Sequence, residues 1–465
     1  MRVPPPPDLP DARRPMKTSR SRLAALGTSL LLVACGQAAA SDGQTAVATA
    51  TPPAPAQEAG LIDRADVERI IRTLASDEMR GREAFSEDAL RAADFIAAEL
   101  AAAGLESFDG APDHLQRFGV LAYSMAPARA VVDGQPLSPD RFQVRYGVPS
   151  IRWRTGDVEV VVVGPDDDPT GTAVAVANSG VDALVLIDPV HEEPFRTISQ
   201  MYRRPTQHVS RTETGTAVVA LVSGTEQASY DITAAADVLE RPVVNVVGQL
   251  PGRRSDEYVV FSAHYDHLGI VRALQGDSVA NGANDDASGV AAVISLAKHF
   301  AARGTPERTL LFAAFTAEEA GGFGSRYFSS QVDPDQIVAM FNVEMIGKPA
   351  VEGPNTAWIT GFERSTFGAI LQEAVEGTPY AFYPDPYPRL NLFYRSDNAM
   401  LASLGVPAHS ISTTPIDVDQ DYHQVSDEIE TLDLAHLTNT IEAIARGAET
   451  IVSGAATPTR VDPLN

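Results

Sequence analysis

Two stretches carry apolar residues at helical spacing: Val67, Ile70, Ile71 and Leu74 within 66–74, then Leu90, Ala93, Phe95, Ile96 and Leu100 within 88–103, with Gly104 as the stop. The pattern then changes. Between 120 and 240, short β-branched runs at 158–163, 173–177, 183–187 and 217–222 are separated by clusters of Gly, Pro and Asp, which predicts strands and turns. After Pro242, strand-like runs at 243–247, 258–263, 309–315, 337–345 and 408–412 alternate with helical patterns at 287–302 and 432–451. Such alternation predicts an α/β fold, a mixed twisted sheet flanked by helices, with a β-rich inserted domain.

The first 60 residues fit neither pattern. Lys17, Arg20 and Arg22 precede an apolar run over 23–34, which is too short to span a hydrocarbon core of about 30 Å but suits a secretory signal peptide. The small residues before Cys35 resemble the lipobox of bacterial lipoproteins, which implies lipidation at Cys35. The implied location is the bacterial cell envelope, lipid-anchored on the periplasmic face of the outer membrane. Residues 36–60 are Ala, Thr, Pro and Gln with little else, a composition that reads as a disordered linker. The expected organisation is therefore a signal peptide with lipobox at 1–35, a linker at 36–60, a main domain at 61–119 and 241–455, and an inserted domain at 120–240.

Composition narrows the function. The 465 residues carry 36 Lys and Arg against 61 Asp and Glu, a net charge of −25, which argues against a nucleic-acid partner because no basic surface is available to displace counterions from phosphates. Cys35 is the only cysteine, so neither an internal disulfide nor a thiolate metal cluster is possible. A metal would have to be held by His, Asp and Glu.

Such residues gather where an open α/β sheet places its site, at the carboxyl ends of the strands. His264-Tyr265-Asp266-His267 follows the run 258–263, and Asn284-Asp285-Asp286-Ala287-Ser288-Gly289 opens a helix. Glu318-Glu319 follows 309–315, Glu344 ends 337–345, and His423 lies in the loop beyond 408–412. Taken singly, each has an ordinary reading: Asp285 and Asp286 as helix caps, Glu318 and Glu319 as a polar loop, Glu344 in an ion pair, His423 on the surface. Taken together, carboxylates and imidazoles are the ligands Zn²⁺ accepts when thiolates are absent. Without a cation, the packed acids would repel one another.

The ordered string of His264-x-Asp266, Asp285-x-x-Ser288-Gly289, Glu318-Glu319, Asn342-x-Glu344-Met345-Ile346-Gly347, and His423 with Asp427 resembles the co-catalytic di-zinc aminopeptidases, the family of bacterial leucyl aminopeptidases and glutamate carboxypeptidases. The resemblance extends to Leu74-Ala75-Ser76-Asp77-Glu78-Met79-Arg80-Gly81-Arg82. It implies two Zn²⁺ per chain: Asp285 bridging both, His264 and Glu344 completing one, Glu319 and His423 the other. Glu318 would be the general base acting on a metal-activated bridging water, and Asp266 would orient His264 through its other ring nitrogen. The family usually has Asp at the position of Glu344. His267 does not fit the spacing and reads as a pocket or packing residue, and the Asp285-Asp286 peptide is expected to be cis.

The resemblance implies a zinc-dependent exopeptidase acting on peptide substrates, with an aminopeptidase preferred and a membrane tether through the lipidated N-terminus. Arg395, Ser396 and Asp397 are the candidate substrate-binding residues, and the aromatic-rich stretch 380–394 is a candidate apolar wall. A carboxypeptidase or dipeptidase, a single-zinc glutaminyl cyclase and a metal-free binding relative are the alternatives. The inserted domain resembles, by position more than by sequence, a protease-associated domain. His191, Glu192 and Glu193 read as a solvated loop.

Overall fold

The computed structural model describes residues 61–209 and 214–464; Cys35, the expected leader and the expected linker lie outside the described residues. Helix α1 (Arg64–Leu74) starts where Asp63 accepts the N–H of Ala65, and α2 (Glu87–Ala102) starts where Ser86 accepts that of Ala89. Each side-chain cap satisfies a donor that the first helical turn leaves without a partner. The stripe read on α1 is its buried face, Val67, Ile70, Ile71 and Leu74; on α2, Ala93, Ile96 and Leu100 are buried, Phe95 is half-buried, and Leu90, expected in the same stripe, is exposed. Burial of each large aliphatic side chain contributes about 1.5–3 kcal/mol.

The main sheet contains β1 (Leu115–Val132), β2 (Tyr230–Leu250), β3 (Arg254–His264), β4 (Arg308–Phe315), β5 (Ile337–Val343), β6 (Thr356–Ile359), β7 (Ala381–Pro384) and β8 (Ala408–Ser412). Their spatial order is β7-β6-β8-β5-β3-β4-β2-β1. The centre, β8-β5-β3-β4, is parallel. The flanking pairs β6–β8, β4–β2 and β2–β1 are antiparallel. Every residue of β4 is buried, as expected of a central parallel strand covered on both faces.

Helices α1, α2, α3 (Ser288–Ala302) and α4 (Leu434–Val452) share one core with the sheet. At its centre the Phe261 ring lies 5.3 Å from Phe312 and 4.9 Å from Phe341. The opposite face packs Val260, Leu311 and Met340 against Phe328 and Leu401. Because β3, β4, β5 and β8 run parallel, their carboxyl ends meet at one edge, with His264 paired in register with Phe315.

Strands β1 and β2 form a long antiparallel ribbon, from Leu115 opposite Val246 to Val132 opposite Tyr230. The expected limits at 120 and 240 therefore fall inside paired strands. Beyond the ribbon, Phe142–Arg145, Ala217–Leu221, Ala183–Ile187 and Glu159–Val163 form a separate four-stranded sheet. Two helices, Pro169–Asn178 and Glu192–Tyr202, accompany it, so this region mixes helix with strand. The run 173–177, expected as a strand, lies in the first of them. Asp168 caps that helix through the N–H of Thr170 and Pro169 occupies its first turn, and this local start outweighs the β-branched composition. Glu192 and Glu193 open the second helix and pair with Arg196 one turn later.

Candidate metal centre

The residues expected to act together converge at the carboxyl edge of the parallel strands. His264 is the last residue of β3, Glu318 and Glu319 follow β4, and Glu344 follows β5. Asp285 lies in the turn before α3, where the Asp285-Asp286 peptide is cis, as expected. His423 lies in the loop between β8 and α4 with φ +58°.

Asp285 is the centre of the cluster. Its Oδ1 is 3.2 Å from His264 Nε2 and its Oδ2 is 3.2 Å from His423 Nε2. His264 Nε2 is 3.8 Å from Glu344 Oε1, and His423 Nε2 is 3.2 Å from Glu319 Oε2. Two groups of ligand atoms can each surround one ion, His264 with Asp285 and Glu344, and His267 with Asp285 and Glu319. His267, expected to pack rather than to bind, joins the second group with Nδ1 2.9 Å from Glu319 Oε1. The string His264-Tyr265-Asp266-His267 held that signal: Tyr265 turns into the core, leaving the imidazoles on either side of Asp266 to return to the same edge.

Several of these atoms have no hydrogen-bond partner: His264 Nε2, both ring nitrogens of His267, Asp285 Oδ2 and Glu319 Oε1. They approach one another without hydrogen-bond direction and are turned toward common points. Leaving so many buried polar atoms unsatisfied is costly, and a divalent cation bound by them removes the cost. The donor set of imidazole and carboxylate suits Zn²⁺.

A framework of backbone hydrogen bonds holds the ligand-bearing loops. Asp286 Oδ1 accepts the N–H groups of Gly289 and Met345, each at 3.0 Å. Asn284 Oδ1 accepts from Gly347 N at 2.8 Å, and Ser288 Oγ accepts from Ile346 N at 3.1 Å. The Asp285 turn is thereby joined to the Glu344 loop. Gly289 must lack a side chain here, because a Cβ would lie 2.3 Å from Val343 O and 2.4 Å from Asp286 Oδ2. On the other side, Asp427 accepts from Asn284 N and Asp285 N at 2.9 and 3.0 Å.

Asp266 is placed differently from expectation. His264 Nδ1 is 3.1 Å from the backbone carbonyl of Asp266, while the Asp266 carboxylate lies 3.9 Å away. That carboxylate accepts instead from Glu318 N at 3.1 Å and Glu319 N at 3.3 Å. The turn after β4 bends back over the end of β3 and presents its N–H groups, so the charge of Asp266 fixes the Glu318-Glu319 turn.

Ser396 also differs from a simple substrate contact. It lines a cavity of about 260 Å³, but its hydroxyl donates to Glu344 Oε2, and Asn342 Nδ2 donates to Ser396 Oγ at 2.8 Å. This chain of donors directs the Glu344 carboxylate. Arg395 lines the same cavity with Trp358, Leu390, Leu392, Ile416 and Tyr422. The wall comes from the leucines of 380–394 and from aromatics elsewhere. Asp397 is buried without a hydrogen-bond partner for either oxygen and is not part of the lining.

With the charges of the polypeptide alone, burial pushes Asp266 up to about 6 and Asp397 up to about 7. Glu318 is raised well above the ordinary carboxylate range by burial and by the negative charges of Glu344, Asp397 and Glu319. Against its burial, Asp285 is held well below that range by His264 and His423. His423, opposed by burial, is raised to about 10 by Asp285 and Glu319.

A family model described as Peptidase family M28 matches residues 245–448. A probable zinc metalloprotease of Pyricularia oryzae is 41% identical over 88 residues, 19% of this chain and 17% of its own length. One from Pyrenophora teres f. teres is 36% identical over 121 residues, 24% of this chain and 25% of its own length. The matched stretch thus spans a quarter or less of each of these curated relatives. Among solved structures, a zinc aminopeptidase from Bacillus subtilis is similar in fold with a TM-score of 0.51 at 15% identity, covering 85% of this chain and 97% of that one. Every member of the cluster described above lies within residues 245–448, the stretch that matches the model of peptidase family M28.

Proposed function

We propose that this chain is a zinc-dependent aminopeptidase that removes N-terminal residues from peptides. The observation that carries the reading is the sharing of Asp285 between two convergent ligand groups, with Glu344 opening onto an apolar cavity and the charge of Glu318 acting on His264. His264, Asp285 and Glu344 would hold one Zn²⁺; Asp285, Glu319 and His423, with His267 alongside, would hold the second. Zinc bound there supplies Lewis acidity, which lowers the pKa of water and polarises a peptide carbonyl.

The chain's own residues do the rest. Glu318 takes the proton from the attacking water and delivers it to the departing amine, a task worth about 10²–10⁴ in rate. Burial among other acids strengthens its hold on that proton. The cavity of about 260 Å³ has room for one side chain rather than a length of peptide, and Trp358, Leu390, Leu392 and Ile416 suit an apolar one. The acid-rich surroundings of Glu318, Glu344 and Asp397 favour a free ammonium at the substrate's end.

Arg395 favours a second reading: as the one cationic residue lining the cavity among the described residues, it suits a substrate carboxylate and hence a carboxypeptidase. One assay separates the two. The zinc-loaded protein is given a peptide with an apolar first residue in free, N-acetylated and C-amidated forms. An aminopeptidase loses activity on acetylation and keeps it on amidation. The opposite result selects the carboxypeptidase, and equal cleavage of all three sinks both.

A further inference from the structure

Arg82 is fully buried, yet its guanidinium meets no carboxylate hydrogen-bond acceptor. Its four acceptors are backbone carbonyls: Nε donates to Tyr265 O at 2.7 Å, Nη1 to Asn281 O at 2.7 Å and to Leu74 O, and Nη2 to Gly282 O at 3.0 Å. Burying a guanidinium without an ion-pair partner is costly, so its location calls for an explanation. Tyr265 is the residue between His264 and Asp266. Asn281 and Gly282 lead into Asp285. The planar guanidinium, with five donors in fixed directions, therefore spans the two segments that carry the bridging carboxylate and the first imidazole.

The backbone around Arg82 is built for this reach. Arg80, Gly81 and Arg82 have φ of +47°, +69° and +50°. At Gly81 a Cβ would lie 2.5 Å from Ala280 O and 2.7 Å from Gly269 O. The carbonyl of Arg82 in turn accepts from His267 N at 3.3 Å, and the neighbouring Glu83 bridges to His267. Burial lowers the guanidinium pKa to about 10, which leaves it charged near neutrality, and the negative charges acting on it are those of Asp427, Asp266, Asp285 and Asp286.

We propose that Arg82 is a positioning residue of the metal centre, a fixed cation that sets the separation of the His264–His267 and Asn281–Asp285 segments and offsets the repulsion of the carboxylates before metal binds. The proposal rests on the zinc reading of the cluster. Loss of groups that orient ligands typically weakens metal binding about 10–100-fold. Arg82→Met removes both charge and donors. Arg82→Lys keeps the charge but not the fork that reaches four carbonyls. Arg308→Met serves as control, because Arg308 is 2% exposed and likewise binds the carbonyls of Ile451 and Ala456, but at the start of β4, away from the cluster.

The full chain is stripped of metal and titrated with Zn²⁺ against a chromophoric chelator, and the visible spectrum of the Co²⁺ form is recorded. We expect Arg82→Met to bind Zn²⁺ about 10–100-fold more weakly with an altered Co²⁺ spectrum, Arg82→Lys to recover part of the loss, and Arg308→Met to lose thermal stability with wild-type affinity and spectrum. Wild-type affinity and spectrum in both Arg82 variants overturn the proposal while leaving the zinc reading in place. Failure of both variants to fold in excess Zn²⁺ assigns Arg82 to the fold and overturns it too. If the wild type itself takes up no Zn²⁺, the zinc reading falls and the proposal falls with it.

Discussion

Asp427 holds the backbone of Asp285: one carboxylate oxygen accepts Asp285 N–H at 3.0 Å while the other accepts the N–H of Asn284 at 2.9 Å. The loop that carries His423 thus grips the turn that carries the shared carboxylate. Asp427→Asn sets an amide NH₂ against one of these two N–H donors and leaves it without an acceptor. The expected cost is about 1–3 kcal/mol of stability and about 10–100-fold in zinc affinity. Thermal unfolding of the metal-free protein and chelator competition measure the two effects separately, and an unchanged midpoint would mean that the grip contributes nothing.

Glu318→Gln keeps the shape of the proposed base and removes its proton chemistry. The turnover number should fall by about 10²–10⁴ while zinc content, read by elemental analysis, stays at the wild-type value. The Glu318 backbone N–H, bound to Asp266, is unaffected by the change. A variant as active as wild type would remove Glu318 from the mechanism; one that loses zinc would make it a ligand.

The parts of the fold with a long period were legible in the sequence. The α1 and α2 stripes, the strands at the centre of the sheet and α3 lie within a few residues of their expected limits, because each repeats one period over several turns or a whole strand. The helix Pro169–Asn178 was not legible: its apolar positions are nearly continuous, and only Asp168-Pro169 marks its start. In the site, spacing along the chain could pick out the stretches that carry His264, Asp285, Glu318 and Glu319, Glu344 and His423, since each follows a strand or opens a helix; the division of roles among them rested on the family resemblance. It could not reveal that Asp266 turns its carboxylate to the Glu318-Glu319 backbone, nor that Ser396 supports Glu344. Those contacts are made by residues far apart in the chain and depend on how loops cross at the sheet edge. Arg82 shows the same limit, since its four carbonyls come from three separate segments.

His409, in β8, predicts an acid limit to stability. It is fully buried against Phe367; Nδ1–H donates to Thr360 O at 2.8 Å, which leaves Nε2 to accept from Ser365 Oγ at 2.7 Å. Burial lowers its pKa from 6.5 to about 4. The folded state therefore binds fewer protons than the unfolded state between these values, so its contribution is complete above pH 6.5 and is lost as pH falls toward 4. The loss amounts to about 3 kcal/mol. Denaturant unfolding of the metal-free protein across pH 4–7 should show this slope in wild type and a flatter one in His409→Gln. Parallel curves would exclude His409 as the source.

Lys348 ties the two halves of the proposed metal centre from outside. It follows the Glu344 loop directly, and its Nζ donates to Asp421 Oδ2 at 2.7 Å and to Asp419 in the loop that presents Tyr422 and His423. Tyr422 stacks on His423 with ring centroids 3.9 Å apart, so movement of this loop moves the imidazole. The Asp419 side chain is 4% exposed, and removal of the ammonium leaves its charge buried without a cation. A shift of the loop toward water, which relieves that charge, would move His423 relative to Glu319 and Asp285. Lys348→Met should therefore weaken zinc binding on the His423 side of the proposed centre by about tenfold or more, while binding at the site proposed for His264 and Glu344 is retained. Lys348→Arg should recover most of the loss. Stepwise zinc titration resolves the two events; equal weakening at both sites would show that Lys348 supports the edge as a whole rather than the His423 side.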